Sequence, residues 1–305
     1  MPHPETSRPA PQWVRTLVYL GGHDLAKVEA VAASEPDALC VDLEDSTPLA
    51  AKDDARANLA AIADIARAAR SLLFVRVNGG ALEADDLAAS EGLGVHCLNI
   101  PKVEDGRAVS DFVARVADVG GDLAGVLVRP VIETPLGVIG AYEIASASAL
   151  VAYMGGVEGG IYGDLGGALG YQQTDDGVET HYLRSKVLMD VRAARVPFPI
   201  GGGTTARRDV EGAVDFARRN RALGYSGVHC AADPDIVRAV NEALTPTTDE
   251  LEHLSSLVPR LEEVEKTGDH VAHLDGRVYD LVALDRLREQ LELGRRLGLV
   301  GEAPR

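Results

Sequence analysis

The stretch ALCVDLE (38–44), followed by AAKDDARANLAAIADIARAAR (50–70), carries the pattern that decides the fold. Its first part is a short and almost continuously apolar run, which is typical of a strand covered on both faces of a parallel sheet. In its second part, apolar residues recur every three or four positions, as they do along one face of an amphipathic helix. The pair therefore predicts one βα unit.

The same alternation of apolar runs and helical patterns continues in both directions along the chain, as expected for successive βα units. We predict eight strands: VRTLVYL (14–20), ALCVDLE (38–44), LLFVRVN (72–78), HCLNIPKV (96–103), GVLVRPVIE (125–133), ALVAYMGGV (149–157), PFPIGG (197–202) and YSGVHCA (225–231). Eight units indicate an α/β fold of the closed (β/α)₈ TIM-barrel type over residues 13–245. An open doubly wound sheet is the alternative, but GGHDLAKVEA (21–30) lacks the third glycine of a dinucleotide fingerprint.

The two ends of the chain differ from the predicted barrel in composition. The opening MPHPETSRPAPQ (1–12) is polar and rich in proline, without the apolar stretch of a signal peptide, and we expect a disordered tail. Charged helical patterns follow the linker TPTTDELEH (245–253), and they exceed what a barrel needs. We therefore expect a C-terminal helical arm over residues 246–305, for which a neighbouring subunit is a candidate packing surface.

Charge and hydropathy exclude several classes of function. The 305 residues are 46% hydrophobic, which is enough for a full core, and carry a formal net charge of -17. Such a charge disfavours nucleic acid and anionic membrane surfaces as partners. No segment approaches the roughly 18 apolar residues of a membrane span. The three separate cysteines, Cys40, Cys97 and Cys230, lie in apolar runs, as buried thiols of a reducing compartment do. We predict a cytoplasmic protein.

Acidic side chains cluster at the ends of the predicted strands, which is where barrel enzymes carry their reacting groups. They are Asp42, Glu44, Asp45, Glu104 and Glu133, with Asp164 shortly after strand six. Each of them alone is explained as the N-cap of the next helix or as a partner of a neighbouring lysine. Together they would repel one another without a cation, and an all-oxygen set of ligands suits Mg²⁺, with Mn²⁺ possible.

Two cationic residues end strands three and four. The planar guanidinium of Arg76 has the geometry to hold a carboxylate or an enolate oxygen with two donors. Lys102 would add positive charge for an anionic substrate, although an ion pair with Glu104 or a neighbouring strand end explains it equally well. The sequence thus predicts an anion site beside the carboxylates.

Five sequence motifs between residues 36 and 170 follow one another in an order that is typical of one enzyme family. The runs PDALCVDLEDSTPLAAKDDAR (36–56), FVRVN (74–78), IPKVED (100–105), VIETPLGVIGAYEIA (131–145) and DLGGALG (164–170) resemble the citrate lyase β-subunit-like branch of the HpcH/HpaI aldolase superfamily. The resemblance implies a TIM barrel, usually in a trimer or hexamer, that acts on a small hydroxy or keto acid or its acyl-CoA thioester.

The resemblance also implies roles for individual residues. Glu133 of IETP and Asp164 of DLGGALG would bind Mg²⁺, while Thr134 and Pro135 beside Glu133 would contact the substrate together with Arg76 and Lys102. Arg76 would contact the substrate carbonyl or enolate in catalysis. The other two predicted catalytic carboxylates, Glu44 and Asp45 of DLED, would hold water on the metal.

The C-terminal segment LDGRVYDLVALDRLREQLELG (274–294) resembles the arm with which this family covers a neighbouring active site. The match makes Asp280 a catalytic base supplied by the neighbouring subunit; the alternative is a linker aspartate that caps the final helix. GGGTTARRDVEG (201–212) is unusual for the family. It fits either a phosphate site at a helix N-terminus or a tight turn with an N-cap.

We therefore predict a Mg²⁺-dependent carbon–carbon lyase that cleaves a 3-hydroxy acid, or its acyl-CoA thioester, in the retro-aldol or Claisen sense. We expect the activity to resemble that of citryl-CoA or malyl-CoA lyases. GGIYGD (159–164) and CAADPDIV (230–237) replace the usual family runs, so a thioester and a free acid both stay open as substrates. The alternatives are a malyl-CoA-type thioesterase and a non-catalytic ligand-binding homologue.

Overall fold

The computed structural model describes residues 10–157, 164–172, 174, 176–203 and 209–300. Most of the predicted N-terminal tail, and Thr204 and Thr205 of the glycine-rich loop, lie outside these residues. The chain divides into two compact units, Met1–Leu244 and Thr245–Arg305. Among the described residues, no helix combines the length and the apolar character that crossing a bilayer requires.

The first unit is built on a parallel sheet of seven strands in the order β5-β4-β3-β2-β1-β7-β6. The strands are β1 (Thr16–Gly21), β2 (Ala38–Asp42), β3 (Leu72–Arg76), β4 (Cys97–Ile100), β5 (Leu127–Pro130), β6 (Ile200–Gly203) and β7 (Gly227–Cys230). The helices are α1 (Leu25–Ala32), α2 (Lys52–Ala57), α3 (Leu59–Ala68), α4 (Glu83–Ser90), α5 (Gly106–Val119), α6 (Pro135–Ile139), α7 (Ala141–Ser146), α8 (Asp164–Leu169), α9 (His181–Ala193), α10 (Val210–Leu223) and α11 (Pro234–Leu244).

The sheet closes into a (β/α)₈ barrel through the segment predicted as the sixth strand, residues 149–157. On one side the amide of Ala152 donates to Val128 of β5 over 2.9 Å, and Val128 and Val151 form a parallel bridge. On the other side the amide of Gly156 donates to the carbonyl of Ile200 in β6 over 2.7 Å. The predicted fold class is therefore confirmed, with a single bridge in place of a regular sixth strand.

The irregular course of this segment has a local backbone cause. Tyr153 has φ 61°, in the left-handed region that interrupts a strand. Gly155 and Gly156 then approach β6 so closely that an added Cβ would lie 2.1 Å from the carbonyl oxygen of Ile200 and 2.2 Å from the amide of Gly202. Only glycine fits these two positions. An apolar run alone predicts neither feature.

The core has two layers because alternate strand residues face opposite sides of the sheet. Leu17, Cys40, Phe74 and Leu127 belong to a cluster inside the barrel. The residues that alternate with them on the first three strands belong to a larger cluster under the surrounding helices, including Val18, Leu20, Leu39, Val41 and Val75. All three cysteines are free and buried, as predicted. Coverage of both faces explains why the strands are continuously apolar.

The predicted helices form with some changes at their boundaries. The pattern over 50–70 gives two helices rather than one, because the chain breaks at Asn58, whose Nδ2 donates to the carbonyl of Gly22 over 3.0 Å. Helix α10, which follows the glycine-rich loop, begins at Val210, where the Asp209 carboxylate caps it by accepting from the amide of Gly212 over 2.6 Å. An N-cap therefore ends the glycine-rich loop.

The second unit has its own small core. It contains α12 (Thr248–Lys266), an antiparallel hairpin of β8 (Val271–Leu274) and β9 (Arg277–Asp280), and α13 (Leu284–Arg296). A capping box starts α12, since Thr247 accepts from the amide of Glu250 and the Glu250 side chain accepts from the amide of Thr247. Leu254, Leu261 and Leu291 are among the residues buried between the two helices.

We predict that Gly156→Ala destabilises the barrel at its closure. A Cβ at this position requires the backbone of β6 to shift, so the free energy of unfolding should fall by about 2 kcal/mol or more. Urea unfolding measures the change. Gly79→Ala is the control, since no atom lies within 4 Å of its added Cβ, and its stability should stay within about 0.5 kcal/mol of the wild type. Equal stability of both variants would contradict this account of the closure.

Candidate active site

The end of the barrel at which the strands finish is organised around an ion pair between β2 and β3. Asp42 and Arg76 are register partners in the parallel ladder, so both side chains point to the same face. Arg76 donates through Nε to Asp42 Oδ1 over 2.8 Å and through Nη2 to Asp42 Oδ2 over 2.6 Å. This two-pronged contact fixes the plane of the guanidinium.

Further carboxylates lie along the remaining edge of the guanidinium. Arg76 Nη1 is 3.1 Å from Glu44 Oε2, 3.8 Å from Glu133 Oε2 and 4.0 Å from Asp45 Oδ2. Burial raises the pKa of Glu44, and the neighbouring Asp45 adds to this, although Lys102 and Arg76 act in the opposite direction. Glu44 is therefore a better proton acceptor than an ordinary surface glutamate.

Lys102 contacts both predicted metal ligands at once. Its backbone amide donates to Glu133 Oε1 over 2.8 Å, and its Nζ lies 3.3 Å from Asp164 Oδ2. The same Nζ is 2.5 Å from Glu44 Oε1 and 3.3 Å from Asp45 Oδ2. Burial lowers the pKa of Lys102, but the hydrogen bond and charge of Glu44 outweigh it and raise the pKa well above its ordinary value. Lys102 is thus a charged neighbour of all four carboxylates.

The two predicted magnesium ligands lie at the same end of the barrel, as their shared contacts with Lys102 show. Glu133 is 6% exposed and follows β5, whereas the Asp164 side chain is 49% exposed at the first residue of α8. No group of three or more acidic, histidine or cysteine side chains suited to a metal is present in the described part of the chain. Two carboxylates with water and substrate oxygens complete a usual Mg²⁺ site, so this set of ligands fits the ion.

The remaining predicted residues have defined local roles. Thr134 caps α6, its hydroxyl accepting from the amide of Gly137 over 3.0 Å, and Pro135 takes the first helical position, where a missing amide hydrogen costs nothing. Asp280 ends β9 in the second unit and accepts from the amide of Val282 over 3.0 Å. Its carboxylate therefore caps the short turn Leu281–Ala283 that precedes α13, rather than the final helix itself.

Three polar residues near this site, Tyr19, Asn99 and Arg129, were not predicted from the sequence. Tyr19 of β1 lies under the guanidinium of Arg76, with 5.2 Å from the Arg76 Cζ atom to the ring centre. Its hydroxyl accepts hydrogen bonds from Asn99 Nδ2 and from Arg129 Nη1, each over 2.7 Å. Arg129 is 1% exposed. A charged residue within the apolar run GVLVRPVIE was the signal that could have revealed this network.

A cavity of about 370 Å³ adjoins Tyr19. Tyr19, Lys27, Ser46, His229 and Asp233 are among its lining residues, and the rings of Tyr19 and His229 are 4.4 Å apart. The volume lies at the small end of the range for ligand pockets, about 300–1,000 Å³. Residues 158–163, which precede Asp164, lie outside the described part of the chain.

Carboxylates, a guanidinium and an ammonium at the ends of barrel strands are side chains of the kind with which barrel enzymes bind small oxyanions. The profile of the HpcH/HpaI aldolase/citrate lyase family matches residues 15–233. The chain belongs to this family, as the motifs predicted.

Individual relatives are similar along most of their length. The chain is 26% identical to the citrate lyase subunit beta of Leuconostoc mesenteroides subsp. cremoris, with 92% of each chain covered. It is 27% identical to a (3S)-malyl-CoA thioesterase of Cereibacter sphaeroides, covering 91% of this chain and 93% of that one. CitE of Mycobacterium tuberculosis, crystallised with magnesium, acetoacetate and coenzyme A, matches with a TM-score of 0.64 and 23% identity over 92% and 98% of the chains.

We predict that Asp42→Asn lowers stability strongly at neutral pH. Burial alone would raise the pKa of Asp42, but the hydrogen bonds and charge of Arg76 outweigh it and lower the pKa below its ordinary value. The stabilisation is therefore present above the unfolded pKa of about 3.9 and is lost as the pH falls through the folded-state pKa. Removing one partner of a buried pair should cost about 3 kcal/mol near pH 7, as urea unfolding would measure.

The difference between wild type and Asp42→Asn should also shrink below about pH 4, where the carboxylate of the unfolded chain is protonated. Asp53→Asn provides the matched control, because Asp53 pairs with Arg56 over 2.7 Å but its side chain is 98% exposed. Its cost should stay below about 0.5 kcal/mol. Similar losses for both variants at neutral pH would refute a special role for the Asp42–Arg76 pair.

Proposed function

We propose that the protein is a Mg²⁺-dependent carbon–carbon lyase that cleaves a 3-hydroxy acid or its acyl-CoA thioester. The observation that carries this proposal is the meeting of Arg76, Lys102, Glu133 and Asp164 at one end of a barrel of the aldolase and citrate lyase family. The names of the relatives support an acyl thioester or its free acid as the substrate class.

In the proposed reaction, the bond between carbons 2 and 3 breaks. A base takes the proton of the 3-hydroxyl, carbon 3 becomes the carbonyl of the released keto acid or aldehyde, and the electron pair of the broken bond moves to carbon 2. The second fragment is then an enolate, which gains a proton at carbon 2 to form the acyl product. An Mg²⁺ ion on Glu133 and Asp164 would supply Lewis-acid polarisation of the substrate oxygens.

Arg76 would stabilise the charge that develops on the enolate oxygen. Asp42 and Glu44 hold its guanidinium in place before the substrate binds, so no reorganisation is needed during the reaction. Its nearly complete burial strengthens this electrostatic effect, because little water screens the charge. Glu44 and Asp45 would orient water and the ammonium of Lys102 around the substrate carboxylate, beside Thr134 and Pro135.

The cavity beside Tyr19 would take the part of the substrate remote from the bond that breaks. Lys27 contributes positive charge to its lining, and Tyr19 connects it to Arg76. A thioester chain and a free carboxylate both suit such a pocket. Binding energy gained there would fix the reacting carbons next to Arg76.

Hydrolysis of a malyl-type thioester is the second candidate, and the similarity to a (3S)-malyl-CoA thioesterase favours it. The same residues would then direct water at the thioester carbonyl. An assay of malyl, citramalyl and citryl thioesters beside their free acids separates the two functions. A lyase releases glyoxylate, pyruvate or oxaloacetate, whereas a thioesterase releases coenzyme A and the intact hydroxy acid. No product from any substrate would favour a non-catalytic ligand-binding homologue.

We predict that Glu133→Gln and Asp164→Asn each lower Mg²⁺-dependent kcat/KM by about 100-fold or more, because each removes a charged ligand of the ion. Circular dichroism should remain that of the wild type. Glu143→Gln on α7 is the control, since it removes a carboxylate from an exposed position. Full activity of either ligand variant, or turnover that EDTA leaves unchanged, would rule out the magnesium mechanism.

We propose Asp280 of a neighbouring subunit as the base, and Asp280→Asn separates this role from capping. Asparagine caps a turn about as well as aspartate, so the free energy of unfolding should change by less than about 0.5 kcal/mol. Loss of the base should lower kcat by about 100-fold or more, with little change in KM. An unchanged kcat would exclude Asp280 as the base and leave Glu44 as the candidate. A fall in the free energy of unfolding with unchanged kcat would assign Asp280 a structural role alone.

A further inference from the structure

Lys102 contacts both carboxylates that the proposed metal ion would use. Its Nζ lies 2.5 Å from Glu44 Oε1, 3.3 Å from Asp45 Oδ2 and 3.3 Å from Asp164 Oδ2. Its own backbone amide holds the other proposed ligand, Glu133, over 2.8 Å. One residue therefore contacts both ends of the proposed coordination set, with a positive charge at one end and an amide hydrogen at the other.

The backbone of Lys102 is strained in a way that serves this arrangement. Its φ of 50° lies in the left-handed region, which lysine adopts at a cost of about 1 kcal/mol or more. This conformation allows the amide and the side chain of a single residue to reach carboxylates on different βα units. The backbone contact to Glu133 and the ammonium contact to Asp164 are separate functions, which different substitutions can distinguish.

The charge balance of the site explains why an ammonium is held there. Five carboxylates surround the two cations in the described part of the chain, namely Asp42, Glu44, Asp45, Glu133 and Asp164. Arg76 is committed to Asp42 by two hydrogen bonds. Lys102 is the cation that pairs with Asp164 among the described residues, and its side chain is 40% exposed, so water can replace its contacts when it moves away.

We infer that the Lys102 ammonium is a tethered counter-ion of the metal site, which neutralises the carboxylates without the metal and must leave Asp164 when a divalent cation binds. The inference deepens the proposed function and rests on it. Binding of the divalent ion would then displace an ammonium as well as water, which weakens its apparent affinity. The released ammonium would be available to the substrate carboxylate beside Arg76.

The test is a titration of the metal-free protein with Mn²⁺, in which electron paramagnetic resonance measures the concentration of the free ion. Lys102→Met removes the charge and should tighten Mn²⁺ binding by about tenfold, given the repulsion expected between close like charges. Lys102→Arg keeps a charge and should stay within about threefold of the wild type. Lys102→Gly should match Lys102→Met, because glycine adopts the same backbone conformation and keeps the amide contact to Glu133.

Arg67→Met is the matched control for loss of one positive charge. Arg67 lies in the last turn of α3, and its side chain is 68% exposed. Its Mn²⁺ affinity should equal that of the wild type. The melting temperature gives a second measurement: in EDTA, Lys102→Met should melt below the wild type, and saturating Mn²⁺ should raise its melting temperature by more than it raises that of the wild type.

The outcomes separate this inference from the proposed function. Wild-type Mn²⁺ binding that is lost in Glu133→Gln, with Lys102→Met no tighter than the wild type, overturns the inference and leaves the metal site intact. Weaker binding by Lys102→Met and Lys102→Gly also overturns it. No Mn²⁺ binding by the wild type or by any Lys102 variant overturns both the inference and the magnesium mechanism. Tighter binding by both neutral variants supports the inference, whichever reaction the enzyme catalyses.

Discussion

The repulsion among carboxylates at the end of the barrel is the constraint on which the site depends, and the hydrogen bonds from Arg76 to Asp42 offset it at a carboxylate that water does not reach. Asp42 is fully buried, and the amides of Glu44 and Ser46 donate to its two oxygens over 2.9 Å each. The turn after β2 is therefore folded around the same carboxylate that orients Arg76. Because the two residues are partners in the β2–β3 ladder, a shift of one residue in register would separate them.

The placement of several charged residues at one end of the barrel was predictable from the sequence, whereas their roles remain predictions. Arg76, Lys102 and Glu133 end strands or follow them closely, and parallel strands bring such residues to one end. The contacts between these residues could not be predicted from the sequence pattern. The ammonium of Lys102 reaches Glu44 across 58 positions of sequence, and its direction depends on a left-handed backbone that no propensity predicts for lysine. The choice of partners is a tertiary property.

The fold was predictable in its repeat and less so in its irregularities. An apolar run predicts a strand at 149–157. The chain there instead has a left-handed residue at Tyr153, followed by two glycines that approach β6 closely. A helical pattern predicts one helix over 50–70, but Asn58 interrupts it by a hydrogen bond to Gly22, which is distant in sequence. Both departures arise where the backbone contacts a segment that is distant in sequence, and the local periodicity contains no information about such contacts.

The two cations of the site differ in ways that suit permanent and exchangeable roles. Arg76 is 8% exposed and spreads its charge over a planar fork that Asp42 occupies on one edge, so displacing it would leave a buried carboxylate without its partner. Lys102 is a compact charge at the end of a flexible stem, more exposed and without a planar geometry to satisfy. A charge that must stay is therefore carried by arginine, and a charge that can move is carried by lysine.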